Sequence, residues 1–547
     1  MARALEDRPA PAPLRVGVLL DGESLPAWAH RLLGQVTASP LAELQLVVLR
    51  DGQSRPARPR PPLAFRAYEK LDRRLFGGRQ DHAEPIVDAP LLGACKRLTV
   101  QPIACDGGES FPAAVVEAIR ADRLDVLLQL GFGSLRGEIL GAAKHGVWTF
   151  EHDERERNGI PPLFWELAQA TPITETTLLA RDPSGARVLY RSFSSTQRNS
   201  LHRNRNGALW KASEFAVRCI ADLAEGRLPQ AQQQVQTEAP ARQPTRAPRA
   251  LDVARLLLTT TARVARNRAR LRREDARWFI ALRRRGDASI LDDDLAGFEP
   301  LVAPPGRFYA DPCLIRVGDV DHLFFEDADV ASGIGVIRWL AIGPDGVPSP
   351  SQVVLACEHH LSYPFVFRFG DDFYMIPETS ENRTVELYRA SSFPLRWELE
   401  KVLFRDVIAT DATVHTHGGR LWLFMAMSAA GGAVNDELFL FHADSPHGEW
   451  VPHPRNPIVS DVRRARPAGP LFSEGSILYR PGQDCADEYG SAFWVSRVDR
   501  LDELEYHETP VRRVDAGWHP GAHCTHTICR GGELEALDGR SWTSLAR

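Results

Sequence analysis

The chain of 547 residues is long enough for two to four domains. Its 44% hydrophobic and 25% charged residues are ordinary for a globular protein, and a net charge of −5 excludes a global attraction to nucleic acid. No apolar run reaches the length of a membrane span, eight cysteines without a C-x-x-C pair exclude a disulfide framework, and the first residues lack a signal-peptide core, so reduced thiols and a cytoplasmic location are expected.

Residues 14–225 alternate apolar strand-like runs ("LRVGVLL", "LQLVVLR", "LDVLLQLG", "VWTFEH") with helical periods ("SLPAWAHRLLGQVTAS", "FPAAVVEAIRAD"). That order predicts an α/β domain with a parallel sheet covered by helices on both faces. No G-x-G-x-x-G follows the first strand and no Walker sequence occurs, which removes nucleotide binding by those routes. His152 ends the strand "VWTFEH", where open α/β sheets bind ligands. It is a candidate acid/base; a strand-end histidine that is only hydrogen-bonded is the alternative.

Residues 226–250 are rich in Gln, Pro and Ala and read as a linker. Residues 251–290 read as a basic helical connector carrying an arginine run at 263–285. Either that run is a solvated helix face, or it makes peripheral contact with anionic membrane headgroups.

Residues 300–540 are β-rich and repeat one phrase five times: "DPCLIRVG", "YPFVFRFG", "DATVHTHG", "AGPLFSEG" and "CTHTICRG". The phrases end at Gly318, Gly370, Gly418, Gly475 and Gly531, and each is followed by a second strand-like run. Five units of about 50 residues with several short strands predict a five-bladed β-propeller. If the phrase is the innermost strand of each blade, Asp311, Tyr363, Asp411, Ala468 and Cys524 face one another at one channel mouth. Asp311 and Asp411 then form a carboxylate pair suited to acid/base work on a glycosidic bond, or else cap strand starts. His415, His523 and His526 are expected to bond sugar hydroxyls, with Tyr363 at the same mouth. Arg466 is either a phosphate-pairing group or a surface arginine. His519, His523, Cys524, His526 and Cys529 are metal-ligating types, but a strand turns neighbours to opposite faces, and no metal is expected.

The propeller segment resembles the five-bladed glycosidases of the arabinanase, xylosidase and fructan-hydrolase group. The resemblance implies that "ADP" at Asp311 supplies the base or nucleophile and "TDAT" at Asp411 the orienting carboxylate. The family's acid falls on Ala468, so Glu378 in "MIPETSEN" is the substitute acid. The phrases "FYADPCL", "MIPETSENRTVELYRA", "TDATVH" and "LYRPGQDC" more closely resemble the N-terminal domain of plant glucosamine inositolphosphorylceramide transferases. In those proteins sugar transfer is attributed to a separate C-terminal domain, so the resemblance implies glycan or glycolipid chemistry without a catalytic step.

The segment "HGVWTFEHDERERNGIPPLFWELAQATPITETTLL" resembles the folate-dependent formyltransferases. His152 matches their carbonyl-polarising histidine, Gly159, Pro161, Pro162 and Trp165 match their loop and helix, and their oxyanion asparagine falls on Phe150. The resemblance implies formyl-tetrahydrofolate as cofactor. Three functions follow as expectations. The first is a carbohydrate-active protein of polysaccharide or glycolipid assembly, taking a sugar, nucleotide sugar or glycolipid at the channel mouth. The second is an amino-sugar N-formyltransferase with a sugar-recognising propeller. The third is a non-catalytic glycan-binding scaffold.

Overall fold

The computed structural model describes residues 12–52, 61–78, 81–87, 91–92, 95–157, 159–227, 246–286, 289–292, 295–428 and 432–544. The linker expected at 226–250 lies mostly outside them. The chain divides into two compact units, and the main boundary between them along the chain falls inside the helix Ala250–Leu271.

The first unit is built on a seven-stranded sheet. In chain order its strands are β1 (Leu14–Leu20), β2 (Ala42–Arg50), β3 (Lys96–Val100), β4 (Val126–Gln129), β5 (Val147–Phe150), β6 (Ile173–Asp182) and β7 (Gly185–Ser195). Their spatial order is β7-β6-β5-β4-β1-β2-β3. The pairs from β3 to β5 are parallel, and β6 and β7 add an antiparallel edge. The expected parallel sheet is therefore a mixed one. Val16, Val18, Leu20, Val126, Leu128, Trp148 and Phe150 supply one buried layer, against which Trp28, Leu32 and Leu33 of the helix Ala27–Ala38 pack. Leu19, Leu46, Val48 and Leu127 face a second core with Val116 and Ile119 of the helix Ala113–Ala121. Burial on both faces explains why these strands read as continuous apolar runs. The chain runs outward from β1 to β3 and then returns to β4 on the other side of β1, so the order reverses between β1 and β4.

The second unit is a five-bladed propeller. Four blades are consecutive four-stranded meanders with inner strands Arg307–Val317, Ser362–Phe369, Ala409–His417 and Phe472–Glu474. The fifth is assembled from both ends of the unit: Glu299–Leu301 pairs with Glu274–Arg284, which pairs onto Leu534–Ser544, and that strand also carries Ala522–Cys524 and Ile528–Gly531. This corrects the expected helical connector at 251–290. The helix ends at Leu271, and the second half of the arginine run is an eleven-residue strand of blade five. Its alternate residues Ala281 and Arg283 are buried, the latter because Glu535 receives its guanidinium at 2.6 Å. Arginine at strand period had been read as helix surface.

Each inner strand turns into its neighbour through a two-residue hairpin that opens with a glycine at positive φ: Gly318 (59°), Gly370 (61°), Gly418 (60°), Gly475 (61°) and Gly532 (55°). Such hairpins require a left-handed first residue, which glycine adopts without a Cβ penalty. In blade five the turn glycine is Gly532; Gly531 is the last strand residue. The repeat register there shifts by one, so Thr525 rather than Cys524 corresponds to Asp311.

Candidate functional site

Polar bonds join the blades around the channel mouth. Tyr363 N donates to Asp311 Oδ2 (3.1 Å), linking blades two and one. Tyr363 and Thr413 share a hydroxyl bond of 2.8 Å between blades two and three. Gln483 Nε2 donates to Asp411 Oδ2 (2.6 Å) between blades four and three. Ile528 N donates to the Ala468 carbonyl (2.8 Å) between blades five and four. Asp311 N donates to Asp538 Oδ2 (3.2 Å), closing blade one onto blade five.

The three positions singled out by the repeat in blades one to three share one backbone feature. Asp311, Tyr363 and Asp411 have φ of 54°, 43° and 54°, and a register shift falls at each in the pairing of its inner strand. A left-handed tyrosine costs of order 1–3 kcal/mol, and such strain persists where surroundings over-determine it. The bulge takes these side chains out of the regular alternation of the strand, toward the neighbouring blades that bond them. Ala468 and Cys524 are outside this set. Ala468 is fully buried in the blade-four and blade-five core, and Cys524 accepts from Arg540 Nη2 at 3.1 Å.

The Asp311 carboxylate sits against His526, whose Nε2 is 3.1 Å from Asp311 Oδ1 while Nδ1 is 2.8 Å from Asp538 Oδ2. Asp538 also accepts from the backbone N–H of His526 and Thr527 and from the Thr527 hydroxyl. Burial disfavours the imidazolium, but the two carboxylates outweigh it and raise His526 to about 10. Against burial, His526 and the Thr527 donors hold Asp538 below its ordinary value. Trp278 covers the imidazole at a ring distance of 4.0 Å.

Asp411 meets Arg466 in a two-point fork, Nε to Oδ2 at 2.6 Å and Nη2 to Oδ1 at 3.0 Å. The same Nη2 donates to Glu378 Oε2 (3.2 Å), Nη1 donates to Asn435 Oδ1 (3.1 Å), and Tyr489 lies under the guanidinium at 4.9 Å. Arg466 is thus neither a surface residue nor open to phosphate: it is buried and committed to carboxylates. Burial acts against its cation, and Asp411 and Glu378 overcome that effect. Glu378 accepts at its other oxygen from Ser380 Oγ (2.6 Å).

Glu326 is a residue that the repeat did not indicate. It lies on the second strand of blade one opposite Ala310, buried, with His360 Nε2 3.4 Å from Oε1. Burial, then Asp311, pushes its carboxyl well above the ordinary range, with His526 opposing. A carboxyl raised above its ordinary range beside a second carboxyl group is an arrangement that acid/base chemistry on glycosides uses. Asp538, Gln483 and Tyr489 were missed for the same reason: they lie outside the repeated phrase.

The histidines separate. His526 joins Asp311, but His415 is four strand residues beyond Asp411, about 13 Å along the chain. Burial lowers His415 to about 4. His523 accepts from Arg540 Nε (3.2 Å), stacks on Trp542 and groups with Glu488 and Cys524. Cys529 lies instead at the blade-one seam, taking the Leu314 N–H at 3.0 Å. The five metal-ligating types of blade five therefore do not form one site.

In the first unit, His152 lines a cavity of about 1110 Å³ together with Asp21, Leu130 and Asp153. These residues follow β1, β4 and β5, so the cavity opens where the strand order reverses, the usual ligand position in such sheets. Trp28 and Phe150 flank the imidazole at 5.4 and 5.3 Å. Phe150 is buried in the apolar core.

Residues 300–522 match the family described as glucosamine inositolphosphorylceramide transferase 1, N-terminal. Glucosamine inositolphosphorylceramide transferase 1 of Arabidopsis thaliana is 38% identical over 213 residues, covering 38% of this chain and 28% of that protein. Its namesake in Oryza sativa subsp. japonica is 39% identical over 213 residues, with the same coverage. The chain thus spans 28% of the length of these curated relatives. Among solved structures, an α-L-arabinofuranosidase from Podospora anserina matches at a TM-score of 0.34 and 12% identity, over 45% of this chain and 95% of that one. A family 117 glycoside hydrolase from Zobellia galactanivorans matches at a TM-score of 0.33 and 11% identity, over 49% and 90%.

Proposed function

We propose that the propeller binds the sugar of a glycan or glycolipid at its channel mouth, and that the protein acts in the transfer of that sugar during glycolipid or polysaccharide assembly. The observation that carries this reading is the clustering of buried carboxyl groups from neighbouring blades: Asp411 and Glu378 share Arg466, Asp311 and Asp538 share His526, and Glu326 lies beside Asp311. Carboxylates outnumber cations there, which favours sugar hydroxyls over a phosphate at the point of contact. The printed names of the relatives, glucosamine inositolphosphorylceramide transferase, support a glycolipid setting.

Within this reading Asp311, held by His526 and the Tyr363 backbone N–H, is the carboxylate that faces the sugar, and Glu326 is the proton donor. Glu378 remains the second candidate for that role. Asp411 positions Arg466. The exposed arginines Arg255, Arg266 and Arg268 of the helix Ala250–Leu271 suit the anionic headgroups of a lipid surface.

The test is calorimetric titration of the full chain with glucosamine, neutral pyranoses and furanoses, and their nucleotide sugars. Binding that Asp311→Asn weakens, with turnover lost in both Asp311→Asn and Glu326→Gln, supports transfer. Binding without turnover leaves a glycan-binding scaffold. Absence of binding to every sugar refutes the reading. A second reading, amino-sugar formyl transfer from formyl-tetrahydrofolate, is favoured by the position of His152 on the large cavity; folate binding abolished by His152→Ala would establish it over the first.

A further inference from the structure

The cavity of the first unit holds chemistry that neither reading uses. One wall brings together Asp81 and His82, from the loop before Pro85–Val87, and His202, from the first turn of the helix Leu201–Ala212. One carboxylate oxygen and one ring nitrogen from each histidine lie within 4.8 Å of one another. Tetrahedral bonds of about 2.1 Å place ligand atoms about 3.4 Å apart, so closure by at most about 1.4 Å completes a ligand set.

Each residue is held from behind. His82 is fixed twice by Asn206, whose Oδ1 accepts from the His82 backbone N–H at 2.9 Å and lies 3.3 Å from Nδ1. A proton on Nδ1 directed at that oxygen leaves Nε2 as a lone-pair donor, the arrangement by which carbonyl groups orient metal-bound imidazoles. His202 is set by Asp72, which takes its backbone N–H at 2.7 Å and the Ser200 hydroxyl at 3.1 Å. Asp81 accepts the Ala83 N–H at 3.0 Å through Oδ1, and Oδ2 pairs with Arg73 at 2.7 Å. The Arg73 side chain is 54% exposed, and such a pair contributes little. Arg205, the other nearby cation, is committed to Glu69 and the Pro162 carbonyl.

We propose that Asp81, His82 and His202 bind a divalent transition-metal ion of the zinc class, with its remaining coordination positions open to the cavity. Two imidazoles and one carboxylate are the donor set of catalytic rather than structural sites, which keep a position for water or substrate. The cavity is large enough for a sugar- or cofactor-sized ligand, and His152 lines the same space.

The full chain, stripped with chelator, is titrated with Zn²⁺ by calorimetry and with Co²⁺ by visible absorption. The proposal expects one equivalent bound, with ligand-field bands and no thiolate charge-transfer band. Affinity falls at least 100-fold in His202→Gln and His82→Gln, and about 10- to 100-fold in Asn206→Ala, which touches only the positioning bond. Arg73→Ala tightens binding by removing the competing cation, a gain that damage to the fold would not produce. Far-ultraviolet dichroism confirms folding, and His202→Gln decides if His82→Gln does not fold. Absence of binding, binding unchanged in both histidine variants, or a thiolate band lost in His523→Ala, which places the ion at Glu488, His523 and Cys524, overturns the proposal.

Discussion

His526 offers a quantitative check of the channel-mouth electrostatics. Its imidazolium lies between Asp311 and Asp538, and its folded value of about 10 stands against 6.5 for the free side chain. The folded state therefore holds an extra proton between those two values. Stability from this group is fully present below pH 6.5 and is lost as pH rises toward 10. The gap sets a ceiling of about 5 kcal/mol, of which roughly half disappears between pH 7 and pH 9. His526→Gln removes the titration and leaves two buried carboxylates facing each other, so it destabilises the propeller at pH 7 by about 3–5 kcal/mol. Urea unfolding read by tryptophan fluorescence is suited to the measurement because Trp278 contacts the imidazole. Unfolding free energies of wild type and His526→Gln should lie closer together at pH 9 than at pH 7, by about 2–3 kcal/mol. A difference that does not change with pH would show that His526 is not a buried cation and would remove the charge assignment of Asp311.

Arg466→Met should cost the propeller about 3–5 kcal/mol at pH 7, since Asp411 and Glu378 lose their shared cation; calorimetric melting checks this, and Arg466→Lys should recover only part of it. Glu326, with a raised folded value, loses stability as pH rises above its unfolded 4.5, so Glu326→Gln should leave the melting temperature at pH 7 unchanged or higher while abolishing any sugar transfer. Gly469 has a φ of 122°, and a Cβ there would run into the Ile528 carbonyl at the seam of blades four and five. Gly469→Ala should therefore lower propeller stability by at least about 2 kcal/mol in urea titration.

Local chemistry made most of the architecture legible. The hairpin glycines announce themselves because a two-residue turn needs a left-handed first residue, and the apolar runs of the first unit announce strands covered on both faces. Asp311, Tyr363 and Asp411 were reached because the same phrase places them at the same bulge. What escaped was tertiary. Glu326 and Asp538 sit on second strands, and nothing near them marks the channel that they enter. The strand Glu274–Arg284 was hidden by its arginines, since the acid that permits Arg283 to be buried, Glu535, is 252 residues away. In blade five two consecutive glycines concealed a one-residue shift, which moved the candidate from Thr525 to Cys524. His82 and His202 carry no motif spacing, and only the fold joins the loop to the helix.

The mixed origin of blade five also bears on how the polypeptide is made. The strand Glu274–Arg284 leaves the ribosome long before its partner Leu534–Ser544 exists. At translation rates of about 5–20 residues per second, the 252 residues between Arg283 and Glu535 take roughly 13–50 s to synthesise. During that interval the early strand presents an unpaired edge, while blades one to four can form as local meanders with nothing yet to close their ring. Asp538 and His526 lie downstream of blades one to four, so the nascent chain completes this cluster only after those four blades have been made. Ring closure and completion of the candidate sugar site are thus one event.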